Sequence, residues 1–115
     1  MKEIKKLLKL SGISYYQMHL SIINCLLPVK LTPKEIECLS CFMSLSGDIS
    51  RYRFGPSAKK IVMSNMQITP AGLSNYMTSL LEKGFLIQSG EEITILPILI
   101  PENGEQTYLF KLQKN

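Results

Sequence analysis

No apolar run in this chain approaches the ~20 residues that a membrane-spanning helix needs, so a transmembrane reading is excluded. The opening MKEIKKLLKLSG is charged but has no long apolar core and no small-residue cleavage site, so no secretory leader is expected. Histidine is scarce. His19 stands alone, with no serine, cysteine or carboxylate constellation around it, and there is no glycine-rich phosphate loop. An enzyme and a bound cofactor are therefore not expected. The three cysteines, an odd number without paired spacing along the chain, fit a reducing cytoplasm better than a disulfide framework. Internal repeats and low-complexity segments are also missing. The last shortage is local: between Gln67 and Glu82 there is no lysine or arginine.

What is present is ordinary globular material. The 115 residues suit a single domain with a modest core, and 45% hydrophobic with 19% charged residues is not the composition of a disordered tail. The net charge of +4 is mild and unevenly spread. Residues 1–30 set Lys2, Lys5, Lys6, Lys9 and Lys30 against Glu3. Residues 85–115 set only Lys111 and Lys114 against Glu91, Glu92, Glu102 and Glu105. The basic pole is N-terminal, where it favours an encounter with phosphates or an acidic partner.

The periodicity predicts mostly helices. KEIKKLLKL (2–10) places Ile4, Leu7 and Leu8 on one face and lysines largely on the other, a short amphipathic helix ended by Ser11-Gly12. ISYYQMHLSIINCLLP allows a strand by its β-branched and aromatic content, but its length and the Leu20, Ile23, Leu27 spacing favour a helix stopping before Pro28. LTPKEIECLSCFMSLSG carries clear start signals. Thr32 is a natural N-cap, Pro33 suits the first helical position and Glu35 stands three residues beyond the cap. Ile36, Leu39, Phe42 and Met43 form its stripe and Gly47 its stop. After the loop DISRYRFGP, Ser57 is expected to cap AKKIVMSNM, with Ile61 and Val62 inward.

Thr69 and Pro70 start the next helix, whose Leu73, Tyr76, Met77, Leu80 and Leu81 mark one face and which Gly84 ends. FLIQSGEEITILPILIP reads as a strand pair turned at Gly90, with Pro97 marking an edge, a bulge or a strand end. ITILPILIP is internal sheet or interface. Asn103-Gly104 is a turn pair leading to a final strand, TYLFKL (107–112).

Cys38-Leu-Ser-Cys41 invites comparison with redox and zinc motifs, and His19, Cys25, Cys38 and Cys41 could be imagined as four ligands. The pair lies within a helix beside its apolar stripe, without a second CxxC or a βαβ context. Two buried cysteines acting as small hydrophobes are the simpler expectation, and no metal site is expected.

IVMSNMQITPAGLSNYMTSLLEKGFLI (61–87) resembles the helix–turn–helix and first wing strand of winged-helix proteins. Thr69, Leu73, Tyr76, Leu80, Leu81, Lys83, Gly84, Phe85 and Leu86 carry the resemblance. LTPKEIECL, RFGPSAKKI and LSNYMTSLLEKGFL are in addition similar to small winged-helix proteins encoded by bacteriophages. The resemblance implies an α+β winged helix-turn-helix: a helical N-terminal half followed by a small antiparallel sheet. Residues 1–31 would be a helical extension packed on or beside the domain, and 32–115 the winged-helix domain.

Function is a further step, since fold does not carry function with it. Burying Leu73, Met77 and Leu80 turns Ala71, Asn75, Thr78, Ser79 and Glu82 outward, the face that enters the major groove in DNA-binding members. Asn75 could then bond adenine, while Ser74, Thr78 and Ser79 could reach bases or phosphates. Attraction would come from flanking Arg51, Arg53, Lys59, Lys60 and Lys83. Against this stand the missing helix cations, Glu82 on the same face and an acidic wing tip, Ser89-Gly90-Glu91-Glu92. Each feature also has a plainer reading as solvated surface. Two functions follow: a non-enzymatic DNA-binding protein of regulatory or architectural role, or a protein-interaction component such as a phage virion protein. The first places the chain in a host cytoplasm, the second also in a virion. Self-association is open in both, and no membrane partner is expected.

Overall fold

A computed structural model describes residues 3–47, 52–102 and 104–115. Among them the chain forms four α-helices followed by a two-stranded antiparallel sheet, an α+β arrangement. None of these helices is long and apolar enough to cross a membrane.

Helix α1 covers Gly12–Asn24, so the ambiguous ISYYQ stretch is helical and stops ahead of Pro28. The polypeptide leaving it is fixed by its last residue. The Asn24 amide nitrogen donates to the Leu31 carbonyl at 3.0 Å, and its oxygen accepts from the Leu31 N–H at 2.8 Å. This delivers the chain directly to the next cap. Helix α2, Pro33–Met43, begins with the reciprocal capping box expected from the sequence: Thr32 Oγ1 accepts from Glu35 N–H, and Glu35 Oε1 accepts from Thr32 N–H. It ends at Ser44, before the expected stop at Gly47.

Helix α3, Pro56–Met66, is capped by Gly55, one residue ahead of the proline, rather than by Ser57. Proline fits the first helical position because its missing N–H has no partner there in any case. The turn into α4 is short, 67–69. It depends on Gln67 at φ 55, a left-handed conformation that a residue with a Cβ adopts at some cost. Helix α4, Pro70–Glu82, is capped by Thr69, whose hydroxyl accepts from Gly72 N–H at 3.1 Å. Gly84, at φ +82, turns the chain out of the helix.

Strands β1 (Leu86–Ser89) and β2 (Glu92–Ile95) pair from Leu86↔Ile95 to Ser89↔Glu92. Gly90, at φ +63, opens the turn between them. Pro97 lies beyond the strand end, at the start of a 3₁₀ turn, Pro97–Leu99.

Helix α2 is central: α1, α3 and α4 all pack against it, and α4 also contacts β1. Its seven buried residues include Leu39 and Phe42, which meet Leu20 of α1, Val62 of α3, and Leu73, Met77 and Leu80 of α4 in one cluster. Leu27 and Leu31 join that cluster, so residues ahead of position 32 help build the common core. Each fully buried leucine contributes on the order of 2 kcal/mol by leaving water.

Two sequence expectations fail at the ends. Residues 3–10 form no helix, and 104–115 form no strand; Lys2 and Asn103 lie outside the described residues. The physical reason is the same twice. A short amphipathic segment cannot offset the cost of nucleation without tertiary burial, and Ile4 and Leu7 remain 89% and 71% exposed. A lone strand needs a partner edge for its backbone groups.

Candidate functional site

The most elaborate polar arrangement is centred on Glu35, which is only 2% exposed. Its place in the first turn of α2 follows from the capping box, but its carboxylate does more than cap. Oε1 also receives the Lys83 ammonium at 2.7 Å, and Oε2 accepts from the Ser79 hydroxyl at 2.6 Å. Lys83 Nζ donates further to the Lys30 carbonyl at 3.0 Å. Ser79 and Lys83 are four residues apart, at the last turn and C-cap of α4, and so share a face. Burial, the largest influence, pushes the Glu35 pKa up. The donors from Lys83, Ser79 and Thr32 together outweigh it and hold the carboxyl below its ordinary value. The group is therefore an ionised tie between the start of α2 and the end of α4.

The buried stripe of Leu73, Met77 and Leu80 sets which α4 residues face solvent, and the tie holds the last turn. Ala71, Asn75, Thr78 and Glu82 are exposed, as the helical spacing predicts, and Ser74 is exposed beside them. Ser79 is different: it is half-buried and turned to Glu35. Lys83 is likewise half-buried and ion-paired. Arg53 donates from Nη1 to the Phe42 carbonyl at 2.7 Å, where it satisfies the C-terminal end of α2. Arg51 lies outside the described residues. On α3, Lys60 is exposed and Lys59 half-buried, and neither makes an ion pair within 4 Å among the described residues. The structure thus groups Ser74, Asn75 and Thr78 on one open helix face. It turns Ser79, Lys83 and Arg53 to internal partners.

The Glu35 arrangement was only half legible in sequence. The Thr32/Glu35 spacing announces the cap, but nothing local announces a lysine 48 residues away as the carboxylate's second partner.

A second polar link joins α1 to the C-terminal part of the chain. His19 is buried, with Nε2 3.1 Å from the Leu99 carbonyl and Nδ1 against the Tyr108 hydroxyl. Burial lowers its pKa, with the Leu99 hydrogen bond acting in the opposite direction. In the neutral ring Nε2–H donates to Leu99, so Nδ1 accepts from Tyr108. The link joins residues 89 positions apart and has no signature in either local sequence.

Cys38 and Cys41 are buried and free, whereas Cys25 is exposed. Burial, with nearby negative charge, pushes the Cys38 thiol up to about 12 and Cys41 up to about 11. Both stay protonated near neutrality and pack as small apolar groups. Among the described residues no group of three or more histidine, cysteine or carboxylate side chains is placed to hold a metal ion.

Compared with protein-family models, with curated proteins and with solved structures, the chain matches none of them.

Proposed function

We propose that this is a non-enzymatic winged-helix protein that lays α4 in the major groove of duplex DNA. The observation that carries the reading is the open face of α4. Ser74, Asn75 and Thr78 are exposed on a helix whose opposite face is buried and whose last turn is pinned by Glu35. Small polar side chains on a rigid helix can approach base edges closely, and an asparagine can meet adenine with two hydrogen bonds. The short α3–α4 turn and the hairpin after α4 fit a helix-turn-helix followed by a wing. Lys59 and Lys60 supply the attraction to phosphate, and the lysines of residues 3–10 add to the basic field.

A second reading is favoured by a specific observation. Arg53 and Lys83 are spent on internal contacts, and the hairpin turn presents exposed Glu91 and Glu92. A face with so few available cations also suits a protein partner in a larger assembly, such as a virion.

Fluorescence anisotropy on labelled duplexes, at several salt concentrations, separates the two. DNA binding predicts that the logarithm of affinity falls with log salt at about 0.9 per phosphate neutralised, and that Lys59→Ala/Lys60→Ala lowers this slope by up to about two. Asn75→Ala should relax sequence preference with little change in slope. No binding at low salt removes the DNA reading and leaves the assembly reading.

A further inference from the structure

Among the described residues, one edge of strand β2 is unused. Leu96 N–H donates to the Phe85 carbonyl at 2.9 Å, and the β1–β2 register continues from that pair. Antiparallel partners alternate between bonded and non-bonded pairs. Glu92 and Thr94 therefore turn their backbone groups toward β1, while Ile93 and Ile95 turn theirs away. No third strand receives them among the described residues. A groove of about 500 Å³ follows this edge, bounded by Tyr52–Gly55 and Ile100, and no β1 residue lines it. Tyr52, which is 75% exposed, gives it apolar walls together with Phe54, Ile93, Ile95 and Ile100; the exposed Glu91 and Glu92 also line it, as does Arg53, whose guanidinium donates to the Phe42 carbonyl.

The same chain carries a strand-like segment with no strand to join. Beyond Tyr108, Leu109, Phe110 and Leu112 are exposed, Leu109 at 80% and Leu112 fully. In extended form Phe110 and Leu112 share a face. Lys111 and Lys114 bring positive charge into the same segment.

We propose that residues 109–114 of a second copy add to the open edge of β2 as a third strand, and that two copies exchange these segments reciprocally. The backbone groups of Ile93 and Ile95 gain partners, Phe110 and Leu112 cover the groove, and Lys111 and Lys114 meet Glu91 and Glu92. Six extended residues reach about 20 Å, enough to cover the four residues of β2. Charge and pattern together select this occupant. The N-terminal segment is also basic, but its apolar residues recur at helical spacing. The chain's own C-terminal segment is held at Tyr108 by His19 on α1, and its addition within one molecule would protect Ile93 and Ile95 independently of concentration. A reciprocal exchange is a closed two-fold interface, which ends at the dimer.

Sedimentation equilibrium of the full chain, paired with amide hydrogen exchange, tests this. The wild type should dimerise reversibly, and the Ile93 and Ile95 amides should exchange more slowly as concentration rises. Lys111→Glu/Lys114→Glu should weaken the dimer about tenfold without altering the far-UV circular dichroism of the monomer, and adding Glu91→Lys/Glu92→Lys to the same chain should restore it. Phe110→Asp should abolish it. A monomer at every concentration, a dimer indifferent to these changes, or protection of Ile93 and Ile95 that does not depend on concentration would overturn the proposal.

Discussion

Helix α4 and residues 3–10 are two amphipathic segments with the same kind of apolar spacing and opposite outcomes. Leu73, Met77 and Leu80 on α4 are buried; Ile4, Leu7 and Leu8 at the N-terminus are exposed and not helical. The difference is not propensity, since leucine and lysine are better helix formers than serine, asparagine or threonine. Helix α4 has a cap at Thr69, a core to bury its stripe in, and a buried carboxylate holding its last turn. The N-terminal segment sets Lys5, Lys6 and Lys9 against Glu3 and has, among the described residues, one exposed ion pair, Lys5 with Glu3, at 3.3 Å. Such pairs contribute little. Periodicity states which face would be buried; only a surface to bury it against makes the helix.

Substitutions can break that contrast, and the largest effect belongs to the core. Leu80→Ala should cost about 3 kcal/mol in denaturant unfolding, since it removes a fully buried side chain from the α2–α4 contact. Glu35→Ala comes next, at about 2 kcal/mol, because it deprives Thr32 N–H, Ser79 and Lys83 of their common acceptor.

The same carboxylate predicts a pH dependence. Its folded pKa lies below its ordinary value of 4.5, so its stabilisation is complete above that value and is lost as pH falls through the folded pKa. Unfolding curves from pH 6 downward should show this loss in the wild type. In Glu35→Gln that part of the slope should be absent; an unchanged acid profile would mean the carboxylate is not held as described.

Thr69→Ala should cost about 1 kcal/mol through the Gly72 N–H it leaves uncapped. Smallest of all, Leu7→Ala should change stability by less than about 0.5 kcal/mol, matching its exposure. A loss at Leu7 comparable to that at Leu80 would place residues 3–10 in the core and erase the contrast.

Legibility in the sequence follows the range of each interaction. The cap of α2 is readable because Thr32, Pro33 and Glu35 lie within one turn, and the α4 stripe because five apolar positions between Leu73 and Leu81 fall on one face of a 13-residue helix. The stop of α2 was misplaced at Gly47. The helix ends at Met43, where the Phe42 carbonyl accepts from the Leu45 N–H at 3.3 Å and from Arg53, outside the helix, at 2.7 Å. Of the proposed contact residues, Asn75 and Thr78 were placed outward by spacing alone, and the structure has them exposed. Ser79 was placed outward by the same spacing and is not fully so. Its position is one where rotation about the helix axis admits either face, and a buried acid 44 residues away decides the matter.

The sequence by itself determined α2, α3 and α4, the starts of α2 and α4, the hairpin at Gly90 and the apolar stripe of α4, and for α1 it only favoured a helix over a strand. These rest on forces acting within a turn or two: capping hydrogen bonds, steric limits on φ, and the repeat of apolar side chains. Only the tertiary structure decided that Glu35 holds Ser79 and Lys83, that His19 reaches Leu99 and Tyr108, and that residues 3–10 and 104–115 remain without helix or strand. Those outcomes depend on which groups desolvate together. Burial makes an ion pair or a helix face worth forming, and it is fixed by neighbours in space that the linear order does not name.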